Sequence, residues 1–394
     1  MKKFLILAVA AVAAMAACAK VENGPSPQQS EIRFSVINHA QQRRAQTLPY
    51  AGLTYPTGVP FGTFAWWTQN DWTGIAADQD YVFMDNEQIS YQSIDNQYVW
   101  APASTYYWTK SGKITFASYS PYTAAGTDKG YSQIPVYNVA NGFVFNAYSI
   151  IPATDVDLMY ADLAANCNQD TNLDGTAVTD EGDSGFSGVP TIFNHALCRL
   201  NFAFRAIGHK NPNVDRIVID VTDVDICHID SLGTFTQSAT PRWATSHATA
   251  ATNYEYAPAS TLSLELIENT AANVASTTNY TDLGVSRILM PQELLNSGDA
   301  LNVTTDQILT IAYTVKIHYT SITLTEDQPG YWATEDLTAI VRLNSGNISA
   351  WRDNQNITYR ISINPYDTRP VTFDPAVVSW TDVYSDDIQI PGNN

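Results

Sequence analysis

An all-β fold, built as β-sandwiches, follows from three features of the chain. Apolar residues recur at every second position through many short stretches. Gly, Pro, Asn and Asp gather between those stretches, where turns need them. Helical periodicity is nearly absent. A period of two puts alternate side chains on opposite faces of a strand, so one face can be buried while the other meets water. Many such strands bury their apolar faces by stacking sheet on sheet.

Taken in order, the chain opens with MKKFLILAVAAVAAMAAC. Lys2 and Lys3 precede an apolar run from Phe4 to Met15, and two small residues precede Cys18. This is the layout of an export signal over residues 1–18, too short to span a bilayer as a folded helix. The small-small-Cys ending predicts a lipoprotein signal, with the Cys18 thiol acylated after cleavage. The plainer alternative is a secretory signal beside an incidental cysteine. Residues 19–30 (AKVENGPSPQQS) are rich in Pro, Ser and Gln and read as a flexible tether.

EIRFSVIN (31–38) is the first strand, with Ile32, Phe34 and Val36 on one face. HAQQRRAQT (39–47) follows it and carries Arg43 and Arg44 side by side. DVDLMYADLAAN (155–166) has the one pattern that suits a short helix. The composition then shifts to Gly, Asp and Thr in TNLDGTAVTDEGDSGFSGVP (171–190). A boundary near 187 divides an N-terminal sandwich (31–187) from a C-terminal one (188–394). In the second part LCRLNFAFRA, QILTIAYTVKIHYTS and NITYRISINPYD all alternate.

Net charge is −19, from 39 acidic and 20 basic residues. That surplus repels phosphate backbones, so no nucleic-acid partner is expected. After the signal, Cys167, Cys198 and Cys227 remain, an odd set that gives no disulfide framework. Cys198 alternates with apolar residues and reads as a small buried hydrophobe.

Several stretches, in order, resemble one family. They are FGTFAWWT, YYWTKSGKITFASYSPY, DLMYAD, VPTIFNHALCRLNFAFRA, RILMPQEL and ITYRISINPYDTRPVTFDPAVVSWTD. The chain is similar in these to the Bacteroidales-type fimbrillins, the type V pilins and their anchor and accessory relatives. The resemblance implies two transthyretin-like β-sandwich domains in tandem, with few short helices. It implies a non-enzymatic structural subunit of surface fimbriae, exported as a lipoprotein to the outer membrane and contributing to adhesion. Its partners would be other fimbrial subunits, outer-membrane lipid through Cys18, an arginine-specific protease, and a surface glycan or protein.

In pilins of this kind the protease cuts after the first strand, and a neighbour's C-terminal segment replaces that strand. Arg43 and Arg44 stand where the cut would fall, leaving Ala45 as the new N-terminus. DVYSDDIQIPGNN (382–394) is then the candidate donor, with Val383, Ile388 and Ile390 as inserted residues. Two other readings stay open: an uncut lipid-retained anchor in which Arg43-Arg44 is a solvated turn, and a carbohydrate-binding tip adhesin.

DTNLDGTAVTDE (170–181) matches a calcium-loop spacing. Asp170, Asn172 and Asp174 would supply oxygens, Gly175 the sharp turn, Thr176 a carbonyl and Glu181 two oxygens. Val178 has no ligand at the ninth position, and the flanks are not helical. An acidic interdomain loop explains the same residues, and no cofactor is required. His195 reads as a packed or hydrogen-bonded residue. Trp66, Trp67 and Trp72 are the best candidates for a sugar platform, although strand packing uses such residues more often. No nucleophile elbow, phosphate loop or paired catalytic histidines occur, so nothing suggests an enzyme.

Overall fold

The structure is a computed structural model that describes residues 31–38, 55–94, 96–150, 156–168, 188–207, 214–245, 251–255, 261–267, 280–295, 301–325, 328–344, 348–364 and 371–379. The strands of the first half are β1 (Phe34–Asn38), β2 (Phe61–Thr68), β3 (Val82–Ile94), β4 (Gln97–Pro102), β5 (Lys113–Ser120), β6 (Val136–Asn138), β7 (Gly142–Ser149), β8 (Met159–Ala161) and β9 (Ala164–Cys167). Then come β10 (Val189–His195), β11 (Cys198–Ala206), β12 (Val214–Asp230), β13 (Leu232–Thr236), β14 (Trp243–Thr245), β15 (Ala251–Glu255) and β16 (Leu262–Ile267). The last are β17 (Thr281–Leu289), β18 (Ile308–Thr325), β19 (Gln328–Arg342), β20 (Gln355–Ile363) and β21 (Val371–Ser379). The fold is all-β, as the alternation predicts.

One short 3-10 helix, Ala76–Gln79, stands among the described residues. The helix expected over DVDLMYADLAAN is instead two strands, β8 and β9. Leu158, Met159, Tyr160 and Ala161 are all buried. A short run buried on both faces suits a strand as well as a helix, and periodicity alone cannot separate the two. Asn166, at φ 62°, takes a backbone shape that a helix interior excludes.

The first sheet has the order β2-β3-β4-β1-β10-β8-β5-β9, and β2 also pairs with β5. It therefore closes on itself, which leaves few open edges. β10 follows Gly188, yet it pairs with β1 and β8 in this sheet. A second interlock comes from the small sheet β14-β13-β7-β6, where β13 lies against β7. Two further sheets, β17-β11-β20-β21 and β15-β12-β18-β19 with β16 beside β12, make up the rest.

Two cores result. The larger joins Leu200, Phe202 and Phe204 of β11 to Ile217, Ile219 and Val221 of β12, and to Ile357, Tyr359 and Ile361 of β20. It also reaches Trp66, Tyr119 and Phe143. The smaller lies inside the closed sheet around Phe34, Phe61, Trp100, Phe116 and Phe193.

Candidate functional site

β1 is short, yet its first residue, Phe34, and Ile32, two residues ahead of it, are both core residues, 3% and 2% exposed. Val36, the third of the predicted inward face, is partly buried against the same core. The alternation in EIRFSVIN thus sets the direction of its side chains. Phe34 meets Phe61 and Phe116 edge-on, both at 5.7 Å between ring centroids. Around them Tyr55 stacks on Phe193 at 5.0 Å, and Trp100 lies 5.5 Å from Phe61. Edge-to-face pairs of this kind add about 0.5–1.5 kcal/mol each beyond their buried area.

The backbone of β1 is held unequally. It runs parallel to β10 through five register pairs, from Phe34↔Val189 to Asn38↔Phe193. Against β4 it makes one pair, Phe34↔Trp100, antiparallel. Ile32 donates its N–H to the Tyr106 carbonyl at 2.8 Å, and Val189 donates to the Arg33 carbonyl at 2.7 Å. Gly188 makes this approach possible. At φ +117° it adopts a conformation that favours glycine, and a Cβ there would lie 2.2 Å from the Arg33 oxygen.

The seat is nearly neutral. Tyr55 shares a short hydrogen bond with Ser120, and burial pushes its phenol well above the ordinary value. Thr63 and Ser118 pair their hydroxyls at 2.9 Å. The Arg33–Glu31 ion pair, at 3.5 Å, lies on the strand's outer side and is partly exposed. Such an arrangement can recognise a strand: apolar pockets for alternate side chains, and a row of backbone donors and acceptors on β10. Taking β1 away would expose two large side chains, worth roughly 1.5–3 kcal/mol each. It would also leave the β10 edge unpaired, a further cost of about 1 kcal/mol for each lost bond.

The fimbrillin-like family model matches residues 57–380 of this chain. The chain belongs to that family. No curated protein matches it. Its fold is similar to a fimbrial protein from Bacteroides vulgatus, at 17% identity over 89% of this chain and 99% of the other, with a TM-score of 0.50. Weaker likenesses are to a fimbrilin, FimA, from Porphyromonas gingivalis (9% identity, 89% and 96% covered, TM-score 0.36) and to the tip fimbrial protein Mfa3 from the same organism (11%, 82% and 94%, 0.31). At these identities the likeness concerns the fold alone. The fimbrillin-like family is one of fimbrial structural proteins at the cell surface, and not an enzyme family.

Of the residues predicted for function in this fimbrillin-like chain, Ile32, Phe34 and Val36 come together in the seat. Cys18, the Arg43-Arg44-Ala45 step, the calcium-loop residues Asp170, Asn172, Asp174, Thr176 and Glu181, and the donor residues Val383, Ile388 and Ile390 lie outside the described residues. Among the described residues no group of three His, Cys, Asp or Glu could hold a metal.

His195 is buried and bonds through Nδ1 to Asp157 at 2.8 Å, the hydrogen-bonded role expected of it. Cys167, Cys198 and Cys227 are all free thiols. The three tryptophans do not lie together on one face. Trp66 is buried, with Trp72 and Tyr137 against it. Trp67, one residue on, turns to the opposite face and donates its indole N–H to the Ser111 carbonyl.

Sequence reasoning missed Gly188 and the placement of β10. A glycine just before an apolar alternating run was the one available signal, and it read as a domain linker.

Proposed function

We propose that this chain is a fimbrial subunit that polymerises by strand exchange, with β1 as the strand that leaves. One observation carries the reading. The first strand of the fold fills an aromatic groove with alternate side chains, yet it is paired along its length on one side only. A cut between Arg44 and Ala45 severs β1 from the remaining chain, and an arginine-specific protease has the matching preference. The segment 382–394, with Val383, Ile388 and Ile390 as its aliphatic residues, is the donor to a neighbour's seat. Acylated Cys18 tethers the subunit to the outer membrane until the cut removes it.

Mass spectrometry of subunits from assembled fibres tests this reading. A chain beginning at Ala45 is the expected result. Fibres whose subunits keep acylated Cys18 and EIRFSVIN would falsify exchange and assign the chain to the uncut, lipid-retained anchors. The loop from Asp170 to Glu181 is proposed as a structural calcium site, on its spacing alone. Its test is the melting temperature, which should fall in chelator and stay fixed if the loop is only acidic.

A further inference from the structure

We propose that the outer edge of β19 is a contact surface for a second copy of this chain, the two β19 strands pairing antiparallel about a twofold axis at Asp336. β19 and β1 belong to different sheets, so the inference stands apart from the exchange reading.

β19 ends the sheet β15-β12-β18-β19. Its inner side pairs with β18 in unbroken register from Tyr331↔Tyr319 to Arg342↔Ile308. On its other side it has no strand partner among the described residues. Leu343, next after β19, donates its N–H to the Gln307 carbonyl at 3.0 Å and so continues that register. In an antiparallel ladder, bonded pairs of this kind alternate with unbonded ones. The odd-numbered residues of β19 therefore bond to β18. The even-numbered ones, from Trp332 to Ile340, direct both N–H and C=O outward.

Other sheet edges are blunted. β17 has a register shift against β11 and holds Gly284 at φ 77°. β21 contains Pro375, which has no N–H to offer. Between Trp332 and Arg342, β19 has no proline, no register shift and no glycine. A long, regular open edge is a template for another strand.

The residues themselves select a second copy as the occupant. Trp332, Thr334, Asp336, Thr338 and Ile340 all carry their side chains into solvent. Counted outward from Asp336, threonine comes next on both sides of this row, and a large apolar residue after it on both sides. Antiparallel pairing of two such strands, centred on Asp336, sets Thr334 opposite Thr338 and Trp332 opposite Ile340. Cross-strand pairs of these types stabilise a sheet, and a patch that matches itself makes a closed, isologous contact. Because even residues oppose even residues, the outward N–H and C=O groups also meet. Trp332 is 42% exposed and Ile340 40%, so both have apolar area to bury. The indole is already steadied, with the His318 ring at 4.8 Å and the Arg216 guanidinium at 5.8 Å.

One pair opposes the contact. Asp336 faces its own copy on the axis, and like charges directly opposite weaken a sheet. Thr314 donates its hydroxyl to Asp336 Oδ1 at 2.7 Å, which fixes the carboxylate without neutralising it. That single charge limits the strength of the contact and supplies the means to test it.

The test uses the purified, uncut full chain in sedimentation equilibrium at physiological salt, where net charge is screened beyond about 8 Å. Wild-type chain should show a monomer–dimer equilibrium. Asp336→Asn should tighten it about fivefold, with the melting temperature of the monomer unchanged. A register-specific check uses oxidative cross-linking. Asp336→Cys should form a disulfide-linked dimer, because the two Cα atoms would lie about 5.5 Å apart across the axis. Thr338→Cys alone should cross-link no more than wild type, because it faces Thr334 of the second copy. A wild-type chain that stays monomeric at every concentration overturns the inference, as does Asp336→Asn with unchanged association. Thr338→Cys cross-linking as readily as Asp336→Cys overturns the register and the twofold contact with it.

Discussion

β1 and β11 are both strands that run parallel to one neighbour and antiparallel to another, yet they are held very differently. β11 pairs with β20 through eight parallel positions and with β17 through six antiparallel ones. β1 has five of the first kind and one of the second. Leu200, Phe202 and Phe204 on β11 are fully buried, and Arg199 and Arg205 bond across the sheet to Ser286 and Ser362. β1 depends on Ile32 and Phe34. Backbone pairing on both sides makes a strand part of its sheet, whereas pairing on one side with a few deep anchors makes it a ligand of its own chain. A fold can thus keep a rigid body and a replaceable strand within one sequence.

The largest effect that sharpens this contrast is a truncation in each strand. Phe202→Ala should cost about 3–5 kcal/mol, as for other buried aromatics, and lower the melting temperature of the whole chain. Phe34→Ala removes a ring of the same size, but should shift the melt by less than half as much, because β1 can detach while the body stays folded. Equal shifts in thermal denaturation would break the comparison.

Gly188→Ala comes next. The added methyl would press on the Arg33 carbonyl at a φ unfavourable for alanine, at a cost of roughly 1–3 kcal/mol. It should loosen β1 selectively, seen as faster proteolysis of the full chain after Arg43 or Arg44 at an unchanged β11 core. A variant cut no faster than wild type would show that Gly188 does not hold the strand.

The smallest effect is chemical. Burial pushes the Cys167 thiol up to about 12 and raises Cys198 as well, so neither forms the reactive thiolate near neutral pH while folded. Cys167 belongs to the core around β1, and Cys198 begins β11. Alkylation at pH 8 in mild denaturant should therefore reach Cys167 before Cys198. The reverse order would place the weaker region in the second core.

Much of this was legible in the chain itself, for identifiable reasons. Alternation in EIRFSVIN and LCRLNFAFRA predicts strands and their inward faces, because a period of two admits few alternatives. DVDLMYADLAAN misled because a buried strand between two others loses its polar face, and with it the alternation. The boundary near 187 rested on a loop's composition, which says nothing of where the next strand pairs. β10 joins the first sheet through contacts with β1, more than 150 residues earlier. The aromatic seat was present in the sequence as separate segments around Phe61, Trp100, Phe116 and Phe193. Only the closed sheet brings them together.

Amide hydrogen exchange on the uncut full chain tests the central claim most directly, because it compares β1 with β11 in one molecule without substitution. The amides from Ile32 to Asn38 should exchange at least about tenfold faster than those from Leu200 to Phe204, by local opening. Equal protection of the two strands would contradict it, and would make β1 as permanent a part of its sheet as β11.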